Sequence, residues 1–272
     1  MLIREHIKEA LTSTTAVLIG FLSGALILLS TGYDPLHAYA SLLQSAFGSY
    51  RSVMDTLTAM IPIMFTGISA AIMFKSALFF IGMEGQLYIG AITAFLAGYL
   101  VSLPPGIHAA VAFLAGGLGG VLWGLIPGYL RSKYGVNETV TAIMLNWIAI
   151  FLTDYVVQYA FADPKATIAR TFKVKETAVI PNISSQIPLN YTFIFAILSS
   201  IIVGYFLYRT TLGYEIRCVG LNPIAAKVAK INTEKTYLKV FIISGFFSGL
   251  AGATMVLGIF GSIVHRFSPG YG

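Results

Sequence analysis

Two carboxylates stand in apolar surroundings. Glu84 shares the stretch from Met60 to Val101 with one other charge, Lys75, and Asp154 lies inside the apolar run 139–161. An ionised carboxylate buried without a partner is costly, so an intramembrane acid is a candidate proton carrier or solute ligand. For Glu84 a second reading stands beside that one: a loop residue near Lys75. Asp154 lies near the end of its run, where an interfacial carboxylate serves as well as a relay group. Asn146-Trp147 can hydrogen-bond and stack on a ring-bearing solute, or can hold two helices together. Gln86 sits two residues beyond Glu84, between Gly85 and Leu87. His6, His37, His108 and His265 show no metal-ligand spacing. The sequence holds no G-x-x-x-x-G-K-[ST], so the chain does not itself cradle ATP phosphates, and it holds no G-x-S-x-G or Cys–His nucleophile pattern. The lone Cys218 forms no internal disulfide. Enzymatic chemistry has no support in these residues; movement of a solute does.

Composition says what must position them. The 272 residues are 57% hydrophobic and 10% charged, with mean hydropathy +0.81. Soluble domains carry about 25% charged residues, so this chain has too little polar surface to cover a core. It reads as an all-α, polytopic membrane protein. Apolar runs long enough to span lie near 13–31, 56–74, 85–103, 107–130, 139–161, 191–208 and 238–260, about seven transmembrane helices in a single domain over 1–272. The first resembles a signal peptide but is longer than a signal core, so a retained span is expected. The net charge of +6 comes from residues beside spans, which points to membrane orientation and not to nucleic acid.

Orientation follows from those charges. A cytoplasmic N-terminus places eleven of the seventeen Lys and Arg residues inside, with 162–190 as an external loop. The loop 209–239 then faces the cytoplasm. Within it Asn222-Pro223 starts a short helix, with Ile224, Val228 and Ile231 on one face and Lys227 and Lys230 turned away, free to meet lipid. Gly116, Gly120, Gly124 and Gly128 form a flat stripe suited to close helix packing, and Gly245, Gly249 and Gly252 do the same later. Gly82 and Gly85 weaken the helix around Glu84, as suits an unwound segment. Phe65–Met73 recurs faintly as Phe247–Met255, in opposite senses across the membrane, as an inverted repeat requires. Further spans follow the first copy and none the second, so the chain is expected to be a truncated form lacking its last helices.

Three stretches together resemble the permease subunits of ATP-binding-cassette importers, in the group that handles ribose, simple sugars, nucleosides and branched-chain amino acids. Phe79-Phe80-Ile81-Gly82-Met83-Glu84-Gly85-Gln86 is similar to the F-N-I-G-x-E-G-Q signature of the nucleoside and simple-sugar branch; Phe80 stands in place of Asn, and Ala77 where Gly is usual. Gly135 to Trp147 is similar to the V-N-E…I-M-L-N-Y/W segment. Leu212-Gly213-Tyr214, Arg217, Gly220, Asn222, Ala225 and Ala226 match the cytoplasmic loop that docks on the ATPase, with Lys230 replacing a common glycine.

The resemblance implies a multi-pass permease of a bacterial or archaeal plasma membrane, forming half of a pathway for nucleosides or simple sugars. Its implied partners are cassette ATPase subunits, which bind ATP and Mg so that this chain needs no cofactor, a second homologous permease, and an extracytoplasmic substrate-binding lipoprotein. Gly213, Arg217, Gly220, Asn222, Ala225 and Ala226 would dock the ATPase; Glu84, Gln86, Asn146 and Trp147 would line the solute pathway. A proton-coupled secondary transporter using Glu84 or Asp154 is the competing reading.

Overall fold

The computed structural model describes residues 2–184 and 187–272, the side chains of Arg4, His6 and Lys8 lying outside that description. It forms two compact units, residues 1–56 and 57–272. In the first, α1 (Leu2–Ser30) is followed by α2 (Pro35–Phe47), which the apolar runs do not announce because thirteen residues are too few to span. Its start is nevertheless written locally: Asp34 accepts the Leu36 N–H at 3.0 Å and Pro35 occupies the first turn. The Tyr39 hydroxyl donates to the Phe21 carbonyl at 2.7 Å, tying α2 to α1.

The helix α3 (Tyr50–Lys75) leads into the second unit. There follow α4 (Met83–Leu100), α5 (Ile107–Tyr134) and α6 (Glu138–Tyr155), the last continued by a π-helical turn, Val156–Ala160. The segment 161–191 is mostly irregular and holds a small antiparallel hairpin, β1 (Asn182–Ser184) with β2 (Ile187–Asn190). Then come α7 (Thr192–Arg209), α8 (Thr211–Leu221), α9 (Pro223–Val228) and α10 (Thr233–Thr254), the last also ending in a π-helical stretch, Met255–Phe260. Among the described residues six helices are long and apolar enough to cross a membrane. The seventh expected run, 85–103, is α4, which is not one of those six. Glu84 and Gln86 dilute its hydropathy, and burial makes up the difference: Leu87, Ala91, Ala94 and Phe95 have no exposed surface. Wrapped by protein, this helix does not have to satisfy lipid along its length.

Its wrapping is α5 on one side and α10 on another, and the glycine stripes allow it. A Cβ on Gly120 would lie 2.7 Å from the Gly249 Cα, and one on Gly245 would lie 2.5 Å from the Gly120 carbonyl oxygen, so the two backbones touch directly. Small residues at such a crossing let dispersion and weak polar contacts replace the missing hydrophobic drive in lipid. The two copies of the repeated stretch also meet. Ser69 of α3 and Ser244 of α10 are hydrogen-bonded at 2.6 Å, and Ser248 donates to Ser69 at 2.9 Å.

The loop 209–239 departs from expectation. Instead of one helix of about ten residues it holds α8 and the six-residue α9. Asn222 does cap α9, accepting the Ile224 and Ala225 N–H groups at 3.0 and 3.1 Å. The helix stops at Val228 because Lys230 turns left-handed at φ +62, so that the Ile231 N–H bonds back to the Ala226 carbonyl at 3.0 Å. Ile231 therefore leaves the face it was expected to share with Ile224 and Val228.

Candidate functional site

Between α3 and α4 the chain does not stay helical. Ala77 adopts φ +55, and residues 78–82 are irregular, bonding to α6 before α4 begins at Met83. Thr139 near the start of α6 donates to the Phe79 carbonyl at 2.5 Å; two turns further on, Asn146 donates to the Ile81 carbonyl at 2.8 Å. The contact points are seven residues apart on α6, about 10 Å at 1.5 Å per residue, so segment 79–81 runs along this helix. The helix α4 thus starts well inside the bundle.

A helix start exposes several N–H groups, and the N-cap here is Gly82, which has no side chain to answer them. Asn146 answers instead: its Oδ1 accepts the Gly85 N–H at 2.8 Å. The signature position occupied by Phe80 carries no polar role. Its ring meets Phe241 edge-on at 5.0 Å and is buried.

Of the four expected pathway residues, three gather at this helix start. Glu84, half-buried, accepts the Gly272 N–H through Oε2 at 2.6 Å. Gln86 is fully buried, and neither atom of its amide has a partner. Asn146 makes the two bonds just described. Trp147 departs from them: it is 50% exposed and stacks on Phe151 at 5.7 Å. Trp123, which spacing did not single out because it sits in the glycine stripe, joins the group. A Cβ on Gly85 would lie 3.0 Å from its Nε1, and that N–H is buried without a partner.

Residues 261–272 return along the bundle toward the same place. At the far end they pair with the loop after α6, where the Val174 N–H donates to Gly261 and the Thr171 N–H to Ile263, both at 2.9 Å. Phe267 then packs on Tyr88 at 4.7 Å, and Thr66 donates to the Tyr271 carbonyl at 2.7 Å. On the way Asp154 faces His265 at 3.3 Å and Arg266 at 3.8 Å. Arg266 is thus the cation beside that acid.

The residues expected to dock an ATPase divide in two. Gly213 and Ala226 are buried, and a Cβ on Gly220 would collide with the Lys75 carbonyl where α3 gives way to segment 78–82. Asn222 is the cap of α9. Arg217 lies over the Tyr208 ring at 5.1 Å. Of the six, Ala225 and Asn222 are on the surface. Leu221, Ile224 and Val228, all more than 75% exposed, form an apolar face around Lys227. The Tyr214 phenol nearby is held above its usual range, first by its hydrogen bond to Cys218.

Residues 52–272 match the family model described as branched-chain amino acid transport system / permease component. The chain belongs to this family. The permease is 33% identical over 261 residues to the guanosine ABC transporter permease protein NupP of Bacillus subtilis, covering 94% of this chain and 74% of that one. It is 33% identical over 268 residues to the nucleoside ABC transporter permease protein NupB of Lactococcus lactis, covering 95% and 74%. Identity to the glucose ABC transporter permease protein TsgB13 of Haloferax volcanii is 28%, covering 96% and 71%. No solved structure matches. The permease is thus a multi-pass membrane subunit of an ATP-binding-cassette transporter, and its relatives are transport permeases, not enzymes. Nothing among them supports a proton-coupled carrier.

Proposed function

We propose that this permease forms half of the pathway by which a nucleoside enters the cell, driven by a separate ATPase that binds ATP and Mg. The observation that carries the solute class is the likeness to two nucleoside permeases along nearly the whole chain. The start of α4 inside the bundle fits it, since interrupted helices expose backbone groups and gather polar side chains where a solute passes. Glu84, Gln86 and Asn146 then act on the pathway or on the backbone that shapes it. The glucose relative makes simple sugars the second reading.

The N-terminus and loop 209–239 face the cytoplasm in this account, as the basic residues require. The apolar face of Leu221, Ile224 and Val228 meets the ATPase, and the tightly packed Gly213, Gly220 and Ala226 hold α8 and α9 rigidly against the end of α3. Closure of the ATPases displaces α9, and the Gly220–Lys75 contact passes that displacement to segment 78–82 and the start of α4. A second homologous permease completes the pore, and an extracytoplasmic binding lipoprotein delivers the solute.

Uptake of labelled guanosine and labelled glucose, in cells with the complete transporter and in cells lacking only this chain, tests the proposal. Guanosine uptake is expected to fall to background on deletion and return on complementation. Equal guanosine uptake in both strains would exclude the solute class, and loss of glucose uptake alone would replace it.

A further inference from the structure

At the end of the bundle that carries loop 209–239, a cleft of about 400 Å³ lies open between α3 and α7. Its floor is apolar, with Ile68, Val203 and Leu207 buried at its base. Gly67 and Gly204 line it, and a Cβ on either would meet nothing within 4 Å. These glycines differ from Gly120 and Gly245, whose missing side chains admit another backbone. Here the missing side chains leave space.

The mouth of the cleft is cationic. Lys75 lies over the Tyr208 ring at 5.6 Å from one side and Arg217 at 5.1 Å from α8. Among the described residues neither cation has a carboxylate within 4 Å; the neighbouring acid, Glu215, faces Lys239 at 3.6 Å. The Arg217 Nε is buried and without a hydrogen-bond partner. A buried guanidinium N–H left unpaired is costly, so an acceptor belongs there.

We propose that this cleft holds an anionic phospholipid of the leaflet on that side, one acyl chain between α3 and α7 and the phosphate against Lys75 and Arg217. An apolar slot between two spans suits a chain, and two unpaired cations with a phenol at its mouth suit a phosphodiester. A soluble anion would use the cations and leave the slot empty. An apolar segment of protein would fill the slot and leave the cations unpaired.

The test is lipid retention by the purified chain, mixed with vesicles of phosphatidylcholine alone or with phosphatidylglycerol and read by native mass spectrometry and thermal stability. Retained phosphatidylglycerol and a higher melting temperature in its presence are expected. Each of Lys75→Gln and Arg217→Gln should weaken retention roughly fivefold, the ~1 kcal/mol a basic residue gains from an anionic headgroup. Gly204→Leu should abolish it by filling the slot with every charge in place, and because that side chain enters open space the variant is expected to fold. Retention unchanged in Gly204→Leu, equal retention of phosphatidylcholine, or equal stabilisation by inorganic phosphate alone would each overturn the proposal. None of these readouts depends on the transported solute.

Discussion

Asn146 caps a helix to which it does not belong. From α6 it accepts the Gly85 N–H of α4 and donates to the Ile81 carbonyl just before it, both at 2.8 Å. One amide thereby fixes where α4 starts and where the irregular segment ahead of it lies. Removing a helix cap costs about 1 kcal/mol, so Asn146→Ala is expected to lower the melting temperature in detergent by roughly 2–4 °C. Asn146→Asp keeps the acceptor and loses the donor, and should fall between the two. Circular dichroism against temperature checks the order, and an unchanged Asn146→Ala would remove the cap from the account.

Two departures from the family's glycine pattern are expected to be strained. Ala77 and Lys230 both adopt left-handed backbone, at φ +55 and +62. That region costs an L-residue roughly 1–2 kcal/mol, against about 0.5–1 kcal/mol of added chain entropy for Gly. Ala77→Gly and Lys230→Gly should each stabilise by about 0.5–1 kcal/mol in the same melts. A loss of stability in either would show that the strain is relieved by something else.

Glycines of the two kinds should respond oppositely. Gly120→Ala drives a methyl group toward the Gly249 Cα and should destabilise by about 1–3 kcal/mol, as overpacking does. Gly204→Ala adds a methyl group in open space and raises helix propensity, so it should be neutral or stabilising by up to about 1 kcal/mol. Equal effects would mean that the α5–α10 contact is looser than described.

Much of this was legible in the sequence. Length and hydropathy placed the apolar core of every long helix, although α1 and α3 begin well before the runs that mark them; the glycine spacing marked the α5–α10 seam, and Gly82 with Gly85 marked the broken span. What was not legible depended on neighbours distant in the chain. Asn146 and Trp147 are adjacent and equally suited to bind a ring, yet one turns into the bundle and the other out of it. The docking motif read as a surface, but Gly213, Gly220 and Ala226 are small because they are packed, and the exposed residues are the apolar ones between them. Trp123 was hidden because its neighbours satisfied a packing pattern on their own.

Gln86 separates stability from function. Replacing a buried amide with no partners by an apolar side chain of similar shape is neutral or stabilising. Gln86→Leu is therefore expected to melt at the same temperature or higher while uptake falls several-fold, because the amide is held for the pathway at the cost of stability. Unchanged uptake would reduce Gln86 to a packing residue.

The most direct measurement is labelled guanosine uptake by cells lacking this chain and complemented with the wild type or with Ile224→Asp, with both proteins quantified in the membrane. The wild type is expected to restore uptake and Ile224→Asp, inserted at equal level, is expected not to, because a charge on α9 blocks docking of the ATPase. Full uptake with Ile224→Asp, or none with the wild type, would contradict it.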